Sequence, residues 1–301
     1  MTARILIIAG SDSGGGAGIQ ADIKTVTMLG GHAMTAITAI TAQNTLGVQG
    51  VHPVPTDMVL AQMESCISDI GVDAVKIGMI GSAQTANAVA DFLSSSFSRE
   101  GGENAIPIVF DPVMVATSGS LLADAATIAA FERLMAVVSV ITPNVPELEA
   151  LTGMTITDVD QLEAAGQALR DRTGAVIFAK GGHLPQQADD DRPMIHDLLI
   201  DEDMVVEFSV ARIETRNSHG TGCTLASAIA TGLGGGLSLP VAADRAEAYV
   251  AAVLAAAPGL GQGHGPMGHA LGLTPFYHLL PATESTGWDA AAYAARYSDH
   301  A

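Results

Sequence analysis

The sequence predicts an α/β fold, with a mostly parallel central sheet and helices on both of its faces. Short, continuously apolar runs alternate with longer segments of helical periodicity along most of the 301-residue chain. Continuous apolar runs are typical of strands that are buried on both faces. Strands that alternate with helices build parallel sheets, so the order of the segments indicates a three-layer sandwich.

The elements are predicted in order from these runs and from the turn residues that end them. We predict strands over residues 4–10, 33–41, 74–77, 106–110, 137–142 and 175–179. We predict helices over residues 19–29, 57–70, 83–93, 123–135, 146–151 and 158–173, and from about 222 and about 241. Residues 195–200 and 204–210 flank the acidic turn DEDM, and this spacing predicts a hairpin.

Composition predicts one large folded unit. Hydrophobic residues make up 48% of the chain and charged residues only 15%, which is enough for a substantial core. No proline- or serine-rich linker and no run of like charge divides the sequence. We therefore expect a single domain over residues 1–273. The more polar residues 274–301 are expected to form a peripheral C-terminal tail.

Charge and cysteine content exclude several function classes. The net charge of −19 argues against nucleic acid and membrane surfaces as partners, although local backbone dipoles still permit an anionic substrate. Two cysteines, Cys66 and Cys223, give neither a disulfide framework nor a zinc spacing, so a reducing cytoplasm is expected. The start of the chain does not resemble a signal peptide, and no apolar run is long enough to span a membrane.

Polar or otherwise informative residues follow most of the predicted strands. Ligands of parallel α/β sheets bind outside the carboxyl ends of the strands, so these residues are predicted to share one edge. They are Asp12, Gln43, Met79, Asp111, Asn144 and Lys180.

Two of these positions lie in segments that suit a small ligand. GSDSGGGAGIQAD, from Gly10, matches neither the dinucleotide fingerprint nor the P-loop, yet its glycines allow close approach of a ligand. A flexible turn before a helix is the alternative, and Asp12 and Asp22 either contact a ligand or cap and solvate the segment. Gln43 offers a donor and an acceptor to a heterocycle, or simply makes turn hydrogen bonds.

Two other positions suit a cation and a phosphate. Asn144 and Glu147, three residues apart at a strand-to-helix junction, can organise hydrated Mg²⁺ or can form a capping box. Lys180 at the end of a buried strand requires an anionic partner, which is either a phosphate or a structural carboxylate.

The stretch NSHGTGC, from Asn217, predicts an anion site. Gly220, Thr221 and Gly222 precede a helix, and consecutive amides there can bind a phosphoryl group as its negative charge grows. The same helix N-terminus is expected to lower the pKa of the Cys223 thiol. A glycine-rich turn with an inert cysteine is the alternative. His219 and the other histidines are interpreted mainly as surface or packing residues.

Taken together, these segments resemble the hydroxymethylpyrimidine and phosphomethylpyrimidine kinases of the ribokinase-like superfamily. The resemblance covers residues 4–272 and rests on the order and spacing of several motifs. These are AGSDSGGGAGIQAD, TAQNTLGVQGVHPVP, VKIGMIGS, DPVM, TPNVPELEAL, KGGH and NSHGTGCTLASAIA.

The resemblance implies a ribokinase-like sandwich and ATP-dependent phosphorylation of 4-amino-5-hydroxymethyl-2-methylpyrimidine, then of its monophosphate, for thiamine diphosphate. By resemblance, Gln43, Gly10, Ala17 and Met79 bind the pyrimidine, whereas Asn144, Lys180, Thr221 and Gly222 bind ATP. Asn144 and Glu147 match the superfamily's Mg²⁺–phosphate motif, and Asp111 is assigned to the same metal. Gly220, Thr221 and Gly222 match the anion hole, where Lys180 also acts. Cys223 stands where most sugar kinases of the superfamily have an aspartate base.

Alternatives and one departure accompany this resemblance. Pyridoxal kinases have similar motifs, and a catalytically silent binding module would share the fold but should lack the complete motif set. The family segment that GHGPMGH resembles usually has asparagine where this chain has Gly268, which puts the local conformation and nucleotide contacts there at risk. A homodimer is expected because dimers are common among these kinases.

Overall fold

The computed structural model describes residues 2–97, 105–116, 119–185 and 193–271. The strands are β1 (Arg4–Asp12), β2 (His32–Asn44), β3 (Gly47–Pro53), β4 (Ala74–Ile77), β5 (Ile108–Phe110), β6 (Val140–Ile141), β7 (Val176–Ala179), β8 (Met194–Ile200) and β9 (Val205–Ala211). The helices are α1 (Gly18–Met28), α2 (Thr56–Asp69), α3 (Ala83–Ser96), α4 (Ala125–Met135), α5 (Val145–Thr152), α6 (Val159–Thr173), α7 (Thr221–Gly234) and α8 (Leu239–Ala255).

The strands of the described residues form one sheet in the order β3-β2-β1-β4-β5-β6-β7-β8-β9. Six strands run parallel to one another, and these are β2, β1, β4, β5, β6 and β7. Only the edges are antiparallel, with β3 on one side and the β8–β9 hairpin on the other. The carboxyl ends of the parallel strands therefore lie along one edge of the sheet.

Alternate side chains of each central strand pack on opposite faces of the sheet. Ile5 and Ile7 of β1 belong to an apolar cluster with α1, α7 and α8. Leu6 and Ile8 belong to a second cluster, which includes side chains of α2 through α6. This two-sided burial explains the continuous apolar runs, and the predicted three-layer α/β sandwich is confirmed.

Most predicted elements match the structure, with differences at their ends. Strand β6 is only two residues long, whereas β2 extends beyond the predicted run to Asn44. Strand β3 was not predicted, because Gln43 was interpreted as a ligand contact or a turn residue. Strands β2 and β3 form a hairpin in which Thr41 pairs with Val51 and Ala42 with Gly50. The predicted tail, residues 274–301, lies outside the described residues.

The helices of the described residues include none that is both long and apolar enough to cross a membrane.

Candidate active site

A cleft of about 880 Å³ lies along the carboxyl edge of the sheet, and the residues that the resemblance assigns to substrate, ATP and metal all line it. At the β1–β2 side it is lined by Gly10, Ala17, Gln43 and Met79. At the β5–β7 side it is lined by Asp111, Asn144, Glu147 and Lys180. Between them are Gly220, Thr221, Gly222 and Cys223 at the start of α7. The roles assigned to these residues remain predictions, but their proximity is a property of the fold.

The glycine-rich loop between β1 and α1 folds around the carboxylate of Asp12. Its Oδ1 accepts a hydrogen bond from the Gly14 amide at 2.8 Å, and its Oδ2 accepts from the amides of Gly16 and Ala17 at 3.0 and 2.9 Å. Burial alone would raise the pKa of Asp12, but the bonds from His219 and from these amides lower it below its usual value. Asp12 therefore organises the loop as a buried anion.

His219 connects this loop to Gln43 and was missed as a site residue. Its Nε2 lies 3.0 Å from Asp12 Oδ2 and 3.2 Å from the side-chain amide of Gln43. The ring is buried and lines the cleft, so His219 is not a surface residue. Its position directly before Gly220 was the available signal.

The N-terminus of α7 is open toward the cleft. Gly220, its N-cap residue, has φ +91°, which favours glycine, and a Cβ there would collide with the carbonyl oxygen of Gly16. No side chain caps this terminus. The first amides of a helix have no partner within it, and they carry the positive end of its dipole. The geometry suits a bound anion, and the anion site stays a prediction.

The predicted acidity of Cys223 is wrong. Burial raises the pKa of its thiol to about 11, and the carboxylates of Asp22 and Asp111 act in the same direction. The charge of Lys76 and a hydrogen bond from the Gly18 amide favour the thiolate without reversing this effect. The thiol is therefore protonated at neutral pH, because desolvation outweighs the favourable field.

Lys180 lies between two carboxylates on the other side of α7. Its Nζ is 2.9 Å from Asp111 Oδ1 and 3.9 Å from Glu147 Oε2. Burial alone would lower the pKa of Lys180, but these carboxylates raise it, so the ammonium is charged. The carboxylate partner anticipated as one alternative is present, and the ammonium still lines the cleft.

Asn144 and Glu147 form a capping box at the start of α5. The backbone amide of Asn144 donates to Glu147 Oε2, and the backbone amide of Glu147 donates to Asn144 Oδ1, both at 2.9 Å. Burial, with the charge of Asp111, raises the pKa of Glu147 to about 7, although Lys180 opposes this change. The capping box predicted as one alternative is therefore present, and it holds the buried Glu147 carboxyl at the cleft.

A preformed metal cage is absent from the described part of the chain, where no three His, Cys, Asp or Glu side chains group suitably. Asp111 and Glu147 nevertheless provide two carboxylates on either side of Lys180. Mg²⁺ is commonly held by one or two carboxylates together with water and substrate phosphates. The residues present fit that incomplete site. The raised pKa of Glu147 supports it, because the charge of Lys180 does not fully offset the burial of this carboxyl.

The sequence reasoning also missed a second pair of acidic residues in the wall of the cleft. Asp197 of β8 accepts a hydrogen bond from the Gly181 amide at 2.6 Å, and it is hydrogen-bonded to Glu247 of α8. Burial and the proximity of Asp197 raise the pKa of Glu247 to about 9. No local motif links residues 197 and 247, so only the fold could reveal the pair.

Gly268, the departure from the family pattern, has a local structural reason. Its amide donates to the Val253 carbonyl at 2.9 Å, and a Cβ at this position would collide with the Ala256 carbonyl. Gly268 does not line the cleft. The substitution therefore accompanies tight packing on the end of α8.

Comparison with known proteins identifies the same family as the sequence motifs. The family model described as phosphomethylpyrimidine kinase matches residues 12–268. The hydroxymethylpyrimidine/phosphomethylpyrimidine kinase of Rhizobium meliloti (strain 1021) is 49% identical over 274 residues, which cover 89% of this chain and 97% of that protein.

Two solved structures extend the comparison to the fold. The phosphomethylpyrimidine kinase of Clostridium difficile 630 is 34% identical with a TM-score of 0.70, over 83% of this chain and 99% of that one. Pyridoxal kinase from Staphylococcus aureus, in complex with AMP-PCP and pyridoxal, is 29% identical with a TM-score of 0.78, over 89% and 94%. The fold is accordingly ribokinase-like. Since the family model spans most of the chain, this protein belongs to the phosphomethylpyrimidine kinase family.

Proposed function

We propose that this protein transfers the terminal phosphoryl group of ATP to 4-amino-5-hydroxymethyl-2-methylpyrimidine and then to the monophosphate, forming the diphosphate required for thiamine. The observation that carries the proposal is the uncapped N-terminus of α7, which lines the cleft between Gln43 and Lys180. Family membership supports the same reaction.

The pyrimidine is proposed to occupy the side of the cleft formed by Gly10, Ala17, Gln43 and Met79. The amide of Gln43 can offer both a donor and an acceptor to the heterocycle. Its contacts with Thr41 and His219, at 3.1 and 3.2 Å, hold the side chain in place before substrate arrives. Preorganisation of this kind reduces the entropy lost on binding.

ATP is proposed to place its phosphates between Lys180 and the amides of Gly220, Thr221 and Gly222. The pyrimidine hydroxyl oxygen forms a new bond to the terminal phosphorus while the bond to the leaving oxygen of ADP breaks. Fixed amide dipoles and the Lys180 ammonium stabilise the charge on the transferring group. Asp111 and Glu147, with Asn144 as the cap that orients Glu147, are proposed to hold Mg²⁺. The ion would neutralise phosphate charge.

Cys223 is proposed to accept the proton of the substrate hydroxyl when the thiol is ionised. Because its pKa is raised to about 11, the thiolate is scarce in the empty cleft at neutral pH. Positioning and charge stabilisation must therefore supply most of the acceleration. Replacement by Ala should lower kcat strongly while substrate binding is retained.

The decisive experiment incubates the purified protein with the pyrimidine alcohol and Mg-ATP and follows both phosphorylated products. We expect the monophosphate first and the diphosphate later, with ADP formed in step. Failure to form either product, with folded protein and varied metal, would exclude the proposed reaction. Cys223→Ala provides the matched variant for the proton-acceptor role.

Pyridoxal phosphorylation is the second candidate, because the Staphylococcus aureus pyridoxal kinase has the higher TM-score of the two structures compared. The higher identity to the Rhizobium meliloti kinase favours the pyrimidine. Parallel measurements of kcat/KM for the two alcohols separate the alternatives. A larger value for pyridoxal would reverse the assignment.

We further propose a cytoplasmic homodimer. The two cysteines of the described chain are both free thiols, in keeping with a reducing compartment. Light scattering on the purified protein tests the dimer, and cell fractionation tests the location.

A further inference from the structure

A fully buried ion pair lies in the core next to α7, and the proposed reaction does not use it. Lys76 of β4 and Asp22 of α1 both have 0% side-chain exposure. Lys76 Nζ lies 2.9 and 3.0 Å from the two carboxylate oxygens of Asp22. Ser227 of α7 donates to Asp22 Oδ1 at 2.7 Å, so the three side chains form one connected group.

This group contacts α7 one turn after the candidate catalytic thiol. Ser227 follows Cys223 by four residues, so both side chains lie on the same face of α7. Gly78 leaves room for the lysine, because a Cβ there would lie 2.8 Å from Lys76 Nζ. The ammonium contacts Asp22, which in turn accepts a hydrogen bond from Ser227 of α7.

Stability alone is a poor explanation for such a pair. Removing a lysine and a carboxylate from water costs several kcal/mol per ion, and apolar residues of similar volume often stabilise a core equally well. Asp22 is neither a ligand contact nor a solvated cap, as the sequence had suggested, since it is buried against Lys76 and Ser227. A buried charge next to a reacting group can instead act on that group.

The charged groups that act on Cys223 come from each neighbouring element. Lys76 of β4 favours the thiolate, whereas Asp22 of α1 and Asp111 after β5 disfavour it. Lys180 after β7 also interacts with the thiol. Among these groups Lys76 is the strongest influence in favour of the thiolate.

We propose that Lys76 is a positioning residue for phosphoryl transfer, whose buried ammonium, held by Asp22 and Ser227, stabilises negative charge on Cys223 Sγ as that atom takes up its part in the reaction. The catalytic part of this inference rests on the proposed function. The electrostatic part concerns the protein alone and can be measured without any substrate.

The test uses the rate of iodoacetamide alkylation of Cys223 against pH, in a Cys66→Ser background so that a single thiol reacts. Lys76→Met removes the cation, so the alkylation midpoint should move to higher pH. Asp22→Asn leaves the cation without its carboxylate, so the thiolate becomes its partner and the midpoint should move to lower pH. At a fixed pH below the midpoint, moving the midpoint by one pH unit changes the alkylation rate by about tenfold.

The opposite directions of the two midpoint shifts distinguish this electrostatic role from a merely structural one. Loosening of the core would change both variants in the same direction, and that result or two unchanged midpoints would overturn the proposal. If Lys76→Met does not fold, Asp22→Asn alone decides, since a midpoint that does not fall contradicts the proposal. Asp91→Asn and Arg133→Met alter an exposed ion pair and serve as matched controls, whose midpoints should equal that of the background protein.

Kinetics then test the catalytic part. In the variants whose alkylation midpoint moves, we expect kcat for the pyrimidine to change as well, while KM for ATP stays the same. If the two midpoints move in opposite directions but no variant and no wild-type protein phosphorylates the pyrimidine, the proposed function fails and the electrostatic coupling stands. If the wild type is active and kcat follows neither midpoint, the positioning role is excluded.

Discussion

At the scale of single residues, Asp12 shows how one carboxylate can shape a substrate loop. It accepts hydrogen bonds from three backbone amides and lies 3.0 Å from His219 Nε2, although it is 3% exposed. Glycines allow the loop to be tight, and its backbone amides fold around the Asp12 carboxylate. His219 then joins this loop to the residues that precede α7.

Asp12→Asn should destabilise the protein by roughly 1–3 kcal/mol at neutral pH, because an amide nitrogen would face backbone donors. The folded-state pKa of Asp12 is lowered, so its contribution is present above the unfolded value and is lost as pH falls through the folded value. The difference between wild type and variant should therefore shrink below about pH 4. Urea unfolding at several pH values measures it, and a difference that grows in acid would contradict this explanation.

At the scale of elements, helix termini determine where the site residues lie. Helix α7 begins at the cleft with a glycine and has no side-chain cap, whereas α5 begins with a complete capping box. The cap holds Glu147 against Asn144 instead of leaving it free to rotate. One terminus is therefore ready for an anion, and the other positions a carboxylate.

Asn144→Ala should cost about 1 kcal/mol of stability and should weaken the apparent Mg²⁺ affinity of the kinase, since Glu147 loses its partner. Asn144→Ser keeps an acceptor for the helix amide and is the matched control. Chemical denaturation and a Mg²⁺ titration of activity provide the two measurements. Equal stability of the Ala and Ser variants would show that the cap is unimportant.

The packing of α8 on β8 carries its own pH dependence. The folded-state pKa of Glu247 is raised to about 9, so the native state binds the additional proton and stability falls as pH rises from about 5 to about 9. Glu247→Gln cannot ionise but still donates to Asp197, so the variant should lose less stability than wild type over this range. Thermal melts at several pH values test this, and parallel pH profiles would refute it.

At the scale of the whole molecule, one sheet assembles a site from segments far apart in sequence. Asp12 contacts His219, and Asp111 contacts Lys180, although each pair is far apart in sequence. Apolar clusters on the two faces of the sheet hold these segments in register. The family match ends at residue 268.

A chain ending at Leu273 should therefore fold and phosphorylate the pyrimidine like the full-length protein. The match to the Rhizobium meliloti kinase covers 89% of this chain and 97% of that protein. The melting temperature and kcat of the truncated and complete chains are the measurements. A clear loss of either would assign a structural or catalytic role to residues 274–301 and would overturn the division at residue 273.

The sequence by itself determined the α/β class, most of the helices and strands, and many of the residues that line the cleft. It could do so because buried strands and amphipathic helices have distinct periodicities, and because the carboxyl ends of parallel strands share an edge. Only the tertiary structure decided that residues 47–53 pair as an edge strand, that His219 and the Lys76–Asp22 pair belong near the site, and that burial raises the Cys223 pKa. Those properties depend on desolvation and on contacts between distant segments, which local sequence patterns do not encode.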